Sequence, residues 1–421
     1  MSDIEQEAAP VEGVLLAESQ QKTLGDYVSD RFRRMRAGDL GSLPIIFGLV
    51  LIALIFGAAS DGLFFSERNF VNLLLQVAPI TTVAMGVVFV LLVAEIDLSV
   101  GFVSGLGAVI MTLLVLPSVD GQPLPWFLAI LVALLATTTI GFMQGFIITK
   151  ARVPSFIVTL AGLLIWSGVV LILTTETTTI GTIVIQDTTI LAIANEFLPP
   201  LWGWVLWAVT IGLYLVLQIT GRRAMLRRNL PVRPASVLAL QIIGLAIATG
   251  FAVWYANKDR GVPVVSVIIL IFLVFWTFIA SRTRFGRYIY AVGGNPEAAR
   301  RAGINVDRIR IMAFMISSFM AGVGGLVLAS RLRSVDTGVG GGNLLLNVIA
   351  AAVIGGTSLF GGVGFVMSAL LGGLVIASVE NGMGLLGLPS GVKFVVNGLV
   401  LLLAVLVDSL ARRRREQSGI S

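Results

Sequence analysis

SRTRFGRYIYAVGGNPEAARRAGINVDRIRI, Ser281 to Ile311, is a polar and basic island between two long apolar segments. A chain that passes from apolar to basic and back must leave and re-enter a low-dielectric phase, which points to repeated membrane crossing. Inside the island lies a compact helix signal. Asn295 can cap, Pro296 suits the first helical position, and Glu297 follows in the first turn. Arg300 and Arg301 fall in the last turn, and Gly303 is placed to end the helix in a left-handed conformation. About two turns remain, too few to be stable alone in water. One face carries Ala298, Ala299 and Ala302, small enough for another backbone to come close, and Glu297 reaches Arg301 at i,i+4 on the other. The helix reads either as an exposed docking element, open to a partner, or as a plain connector.

Outward from the island, the composition agrees. The 421 residues are 57% hydrophobic and 12% charged, with a mean hydropathy of +0.97, whereas a soluble protein is about 25% charged. The fold class expected is an all-α polytopic membrane protein. With no cysteine, disulfides, thiolate metal sites and Cys nucleophiles are excluded. With no histidine, the commonest general base, most catalytic metal sites, Ser-His dyads and HExxH zincins go too. The net charge of +6 does not indicate nucleic acid, because the basic residues cluster beside apolar segments.

Apolar stretches near 43–60, 71–94, 100–117, 125–149, 155–174, 202–219, 236–256, 263–280, 310–330, 344–360, 363–384 and 391–408 approach the ~20 residues that cross a ~30 Å core. They are preceded by a polar tail, 1–42, with room for one interfacial helix and no signal-peptide core, and followed by a basic tail, 411–421. Placing both termini in the cytoplasm puts 23 of the 29 Lys and Arg residues inside, as the positive-inside rule asks. The long outer loop Thr175 to Leu201 then has none. Segments 100–117 and 344–360 are short and interrupted by glycine, so ten spans with two re-entrant segments stands beside twelve.

An internal echo suggests two related halves. Asn72-LLLQVA and Asn343-LLLNVI agree at five of seven positions, and VGFV recurs at Val100–Val103 and Val363–Val366. Each pair starts on one side of the membrane in this topology, so the repeat is parallel, and a pathway is expected near the interface of the halves.

Two stretches are gate candidates. AEIDLSVG sets Glu95 and Asp97 beside apolar spans, where a charge costs roughly 2.5–3.5 kcal/mol at the midplane unless paired, hydrated or protonated. Asp97 and Ser99 are placed to cap the next helix, and the cap alone would explain them. VIGGTSLFGGVG puts Gly355, Gly356, Thr357 and Ser358 in a stretch suited to a backbone break or to tight packing. It is not a phosphate loop, since no GxxxxGK[ST] occurs anywhere in the chain. For a neutral polar solute, hydroxyls and amides make the pathway, and Gln76, Thr81, Asn347, Ser368 and Asn381 are candidates, with interhelical bonding as the other reading.

GRYIYAVGGNPEAARRAGINVDR, IDLSVG, PSFIVTL and AAAVIGGTSLFGGVG together closely resemble the permease subunits of bacterial ABC sugar importers of the ribose/xylose group. The resemblance runs from about Asn69 to Asp408, and the segment Trp202–Asn257 and Glu95 look like the xylose type. It implies that Asn295 to Gly303 contacts a separate cytoplasmic ATP-binding subunit, which binds the ATP and magnesium, so that this chain has no cofactor and no catalytic residue of its own. It further implies a homodimer in the bacterial inner membrane, fed by an extracytoplasmic sugar-binding protein and moving a monosaccharide such as xylose. A single-chain secondary transporter would also show spans and repeats, though it would usually bury more ionisable groups than Glu95, Asp97 and Glu380. An intramembrane enzyme is disfavoured by the missing His, Cys and GxSxG.

Overall fold

The computed structural model describes residues 43–117, 122–228, 232 and 234–417. The expected tail 1–42 and the last four residues lie outside the described residues. Each of the twelve apolar stretches contains a helix: α1 Leu43–Ala59, α2 Glu67–Leu92, α3 Val100–Val115, α4 Trp126–Lys150, α5 Ser155–Thr177, α7 Pro200–Leu226, α8 Ala235–Ala256, α9 Val264–Arg282, α12 Val306–Leu332, α13 Leu344–Ile354, α14 Met367–Leu385 and α15 Ser390–Gln417. Eight of these are long and apolar enough to cross a membrane, and the protein is an all-α, multi-pass membrane protein. The last helix continues to Gln417, through most of the stretch expected to be a tail.

Two helices form the centre, and both begin at side-chain caps. The Ser66 hydroxyl accepts from the Asn69 amide (3.3 Å) at the start of α2, and Asn305 Oδ1 accepts from Arg308 N (3.0 Å) at the start of α12. Both helices are buried along most of their length. Between them and α3 and α4, small residues set the spacing. Gly86 lies against Ser317, Gly141 against Phe314, and Gly325 against Ser104. In a bilayer, where lipid is as apolar as leucine, such close backbone approach is what joins helices. The outer helices keep long side chains such as Leu135 and Leu164 on their exposed faces, as contact with lipid chains requires.

Segment 344–360, expected either as a span or as a broken or re-entrant helix, is of the broken kind. The segment 344–360 is helical only to Ile354, a rise of about 16 Å at 1.5 Å per residue, roughly half the hydrocarbon core. Gly355 stops it, and 355–366 continues as irregular chain with positive φ at Gly356, Gly361, Gly362 and Gly364. The long loop 175–201 carries secondary structure of its own. It holds a strand, β1 Thr182–Val184, and a short helix, α6 Thr188–Asn195, capped by Asp187 Oδ1 from Ile190 N (2.9 Å). β1 pairs antiparallel with β2 Ser334–Asp336, Ile183 opposite Val335.

The chain divides into two contact units. One is described here by residues 201–254, the hairpin of α7 and α8, joined where Trp207 Nε1 donates to Ala246 O and Thr249 Oγ1, both at 3.1 Å. The other holds the remaining described residues and all the features that follow.

Candidate functional site

The basic island folds as two short helices, α10 Arg284–Gly294 and α11 Pro296–Arg301. Asn295 Oδ1 accepts from Ala298 N (3.0 Å), Pro296 opens the helix, and Gly303 takes φ +82° just past its end. Glu297 and Arg301 pair at 3.8 Å, fully on the surface. One expectation fails. Ala299 is not on an exposed face but only 4% exposed, because the helix packs that side inward. Ala298, Arg300 and Ala302 form the open side.

α10 connects this short helix to the interior. Gly293 abuts the Leu92 carbonyl at the end of α2 so closely that no side chain fits. The same carbonyl accepts from Gly362 N (3.0 Å) in the irregular segment, and Tyr290 Oη donates to Gly364 O (2.8 Å). Burial pushes the Tyr290 phenol above its ordinary range, so it remains a donor at neutral pH. One end of α10 therefore touches the break 355–366 directly and Leu92, the residue that leads into the break 93–99, while Gly361 lies between Gly293 and Ala94; the two breaks follow the two copies of the echo.

The first break carries the carboxylates. Asp97, 2% exposed, accepts from Ser99 N (3.0 Å) and Ser99 Oγ (2.7 Å) on one oxygen and from Ser317 Oγ (2.9 Å) on the other. Ser317 lies roughly 16 Å along α12 from Val306, so this carboxylate is held deep in the bundle by hydroxyls and a backbone amide. The expected cap by Ser99 is not made. Its hydroxyl turns sideways to Asp97 and to Gln144, whose Nε2 donates to it at 2.9 Å. Glu95, nearby, pairs with Arg310 at 3.0 Å. In the second break Gly355 packs against the Ser368 backbone, while Thr357 Oγ1 is buried without a partner, as are Thr81 Oγ1 and Ser368 Oγ.

At the opposite end of α2 a cavity of about 560 Å³ opens. Gln76, Asn347 and Asn381, three of the residues singled out from sequence, line it; Thr81 and Ser368 do not. Asn69, Asn72 and Asn343 add further amides, and Arg331, Glu380 and Lys393 the charges. Asn347 Nδ2 donates to Glu380 Oε1 at 2.6 Å, Asn397 Nδ2 donates to it at 3.2 Å, and Asn69 and Asn381 exchange two amide bonds of 2.9 Å. Sequence reasoning missed Asn69, Gln144, Tyr290, Gly293 and Ser317, whose partners lie far away along the chain. Asn72 and Asn343 were visible as the first letters of the echo.

Comparison with known proteins shows the family. The xylose transport system permease protein of Escherichia coli (strain K12) is 39% identical over 390 residues, 92% of this chain and 96% of its own. That of Haemophilus influenzae is 33% identical over 90% of this chain and 99% of its own. The ribose import permease protein of the same organism is 32% identical over 86% and 90%. No solved structure matches. Residues 69–405, spanning every element of the site just described, match the model of the branched-chain amino acid transport system / permease component family, and the chain belongs to that family of permeases.

Proposed function

We propose that this chain is the transmembrane permease of an ATP-driven importer for a monosaccharide, xylose being the substrate named for its 39% identical relative. One observation carries the mechanism. The open side of the capped helix Pro296–Arg301 is continuous, through α10, with backbone contacts to the 355–366 break and to Leu92, where α2 runs into the 93–99 break. A cytoplasmic ATP-binding subunit seated on that helix would shift α10, and with it the 93–99 and 355–366 segments, while ATP and magnesium stay in the partner. The cavity at the other end is then the mouth that receives sugar from an extracytoplasmic binding protein. The unequal distribution of basic residues supports an orientation with the α10–α11 end and both termini in the cytoplasm of an inner-membrane protein, and in this reading a second copy of the chain completes the permease.

The test is uptake of radiolabelled D-xylose in cells expressing this chain with or without its ATP-binding subunit. Uptake only with the ATPase is expected. Uptake by this chain alone would make it a secondary transporter.

A further inference from the structure

Asn72 and Asn343 open the two copies of the internal echo, and Gln76 and Asn347 follow them at i+4. That spacing puts both amides of a pair on one helix face, and both faces line the same cavity. A cavity bounded by equivalent positions of two repeated segments lies at the interface of the halves, where duplicated transporters hold their substrates.

Asn347 is engaged at both ends, donating to Glu380 and accepting from Asn397 Nδ2 (3.2 Å), but three amides of the cavity keep free hydrogen-bonding capacity. Gln76 and Asn343 make no side-chain hydrogen bond among the described residues, and Asn72 uses only its carbonyl, accepting from Arg260 Nη2 at 2.7 Å. Glu380 is fixed through Oε1 by Asn347 and Asn397, which leaves Oε2 for a donor. A sugar hydroxyl donates and accepts, and so does a carboxamide, so one amide satisfies two neighbouring hydroxyls without any charge transfer. The 560 Å³ volume falls in the ~300–1,000 Å³ range of small-ligand sites.

We propose that this cavity is a sugar-binding site within the permease itself, in which Asn72, Gln76 and Asn343 divide the hydroxyls of one uncharged ring, Asn347 holds Glu380 in place, and Glu380 accepts from a further hydroxyl. This rests on reading the chain as a sugar permease and adds to it a selectivity exercised after the binding protein has let go.

The test uses the full chain in lipid nanodiscs, without partners, equilibrated with radiolabelled D-xylose and competed with L-leucine. Saturable, weak xylose binding that leucine does not displace is expected. Asn72→Ala combined with Asn343→Ala should weaken it at least tenfold, and Gln76→Leu, which keeps the helix face filled, should weaken it severalfold if the double variant does not fold. Ile243→Ala, on the exposed face of the α7–α8 hairpin, should leave it unchanged. No saturable binding by the permease, or binding that these variants leave intact, overturns the site; displacement by leucine overturns the substrate class. Xylose uptake by the complete importer is measured alongside. Uptake without binding by the permease refutes this proposal alone, while absent ATP-dependent uptake refutes the reading beneath it.

Discussion

The main-chain carbonyl of Leu92 lies against the α-carbon of Gly293 with no room between them for a methyl group. That oxygen also accepts from Gly362 N, so three segments far apart in sequence meet at one atom. An alanine at position 293 must push α10 away from the end of α2 and from the 355–366 break, at the ~1–3 kcal/mol typical of overpacking. Gly293→Ala in the reconstituted importer should leave ATP hydrolysis running while sugar uptake falls at least fivefold. Tyr290→Phe, which loses one hydrogen bond of about 1 kcal/mol, should do the same more mildly. An equal fall in both activities would mean only that assembly was lost.

Asp97 tests the buried charge. Asp97→Asn keeps an acceptor for the Ser99 amide but loses the charge-assisted bonds, worth roughly 1 kcal/mol more than neutral ones. Transport should slow about fivefold with membrane insertion normal. Ser317→Ala strands one buried carboxylate oxygen and should lower thermal stability by ~1–3 kcal/mol. Wild-type uptake by Asp97→Asn would reduce this aspartate to a local turn-former.

The short helix is best tested on the side it exposes. Ala298→Trp should insert and fold normally yet lose the ATP-binding subunit in pull-down and lose uptake. Ala299→Trp, aimed into packed residues, should destabilise the permease itself. Thermal shift assays on the two purified variants separate these outcomes, and retained ATPase binding by Ala298→Trp would make the helix a connector.

Gly303 separates strain from crowding. Its φ is +82° and nothing lies within 4 Å of where a Cβ would stand. Gly303→Val should therefore weaken coupling through backbone strain of about 1–2 kcal/mol, whereas Gly303→Asn, tolerated in the left-handed region, should transport nearly normally. Equal defects would point to a contact with the partner instead.

The purified chain alone should neither bind nor hydrolyse ATP, having no phosphate loop. Saturable binding in equilibrium dialysis would overturn the division of labour.

The helices were legible because apolar length and basic flanks are local signals, and the capped helix because Asn, Pro and Gly act within a few residues. The stop at Ile354 was foreshadowed by Gly355 and Gly356, though not its depth. Ser99 was misread as a cap because its competitor, Gln144, is 45 residues away. Ala299 was misread as exposed because a two-turn helix has no sequence period long enough to tell its inner side. The amides of the cavity were readable singly, but that two copies of one motif converge on one space is a tertiary fact.

The base of the α7–α8 hairpin is stitched without it. Leu198 N donates to Val262 O (2.8 Å), Val264 N to Glu196 O (3.0 Å), and Phe197 bridges to Pro263. The residues on either side of the hairpin are thus already neighbours, which makes 201–254 a cassette. It is a place where nature or an engineer could splice in a short turn, a fluorescent reporter or an affinity handle, and the rest of the permease would close up behind the exchange.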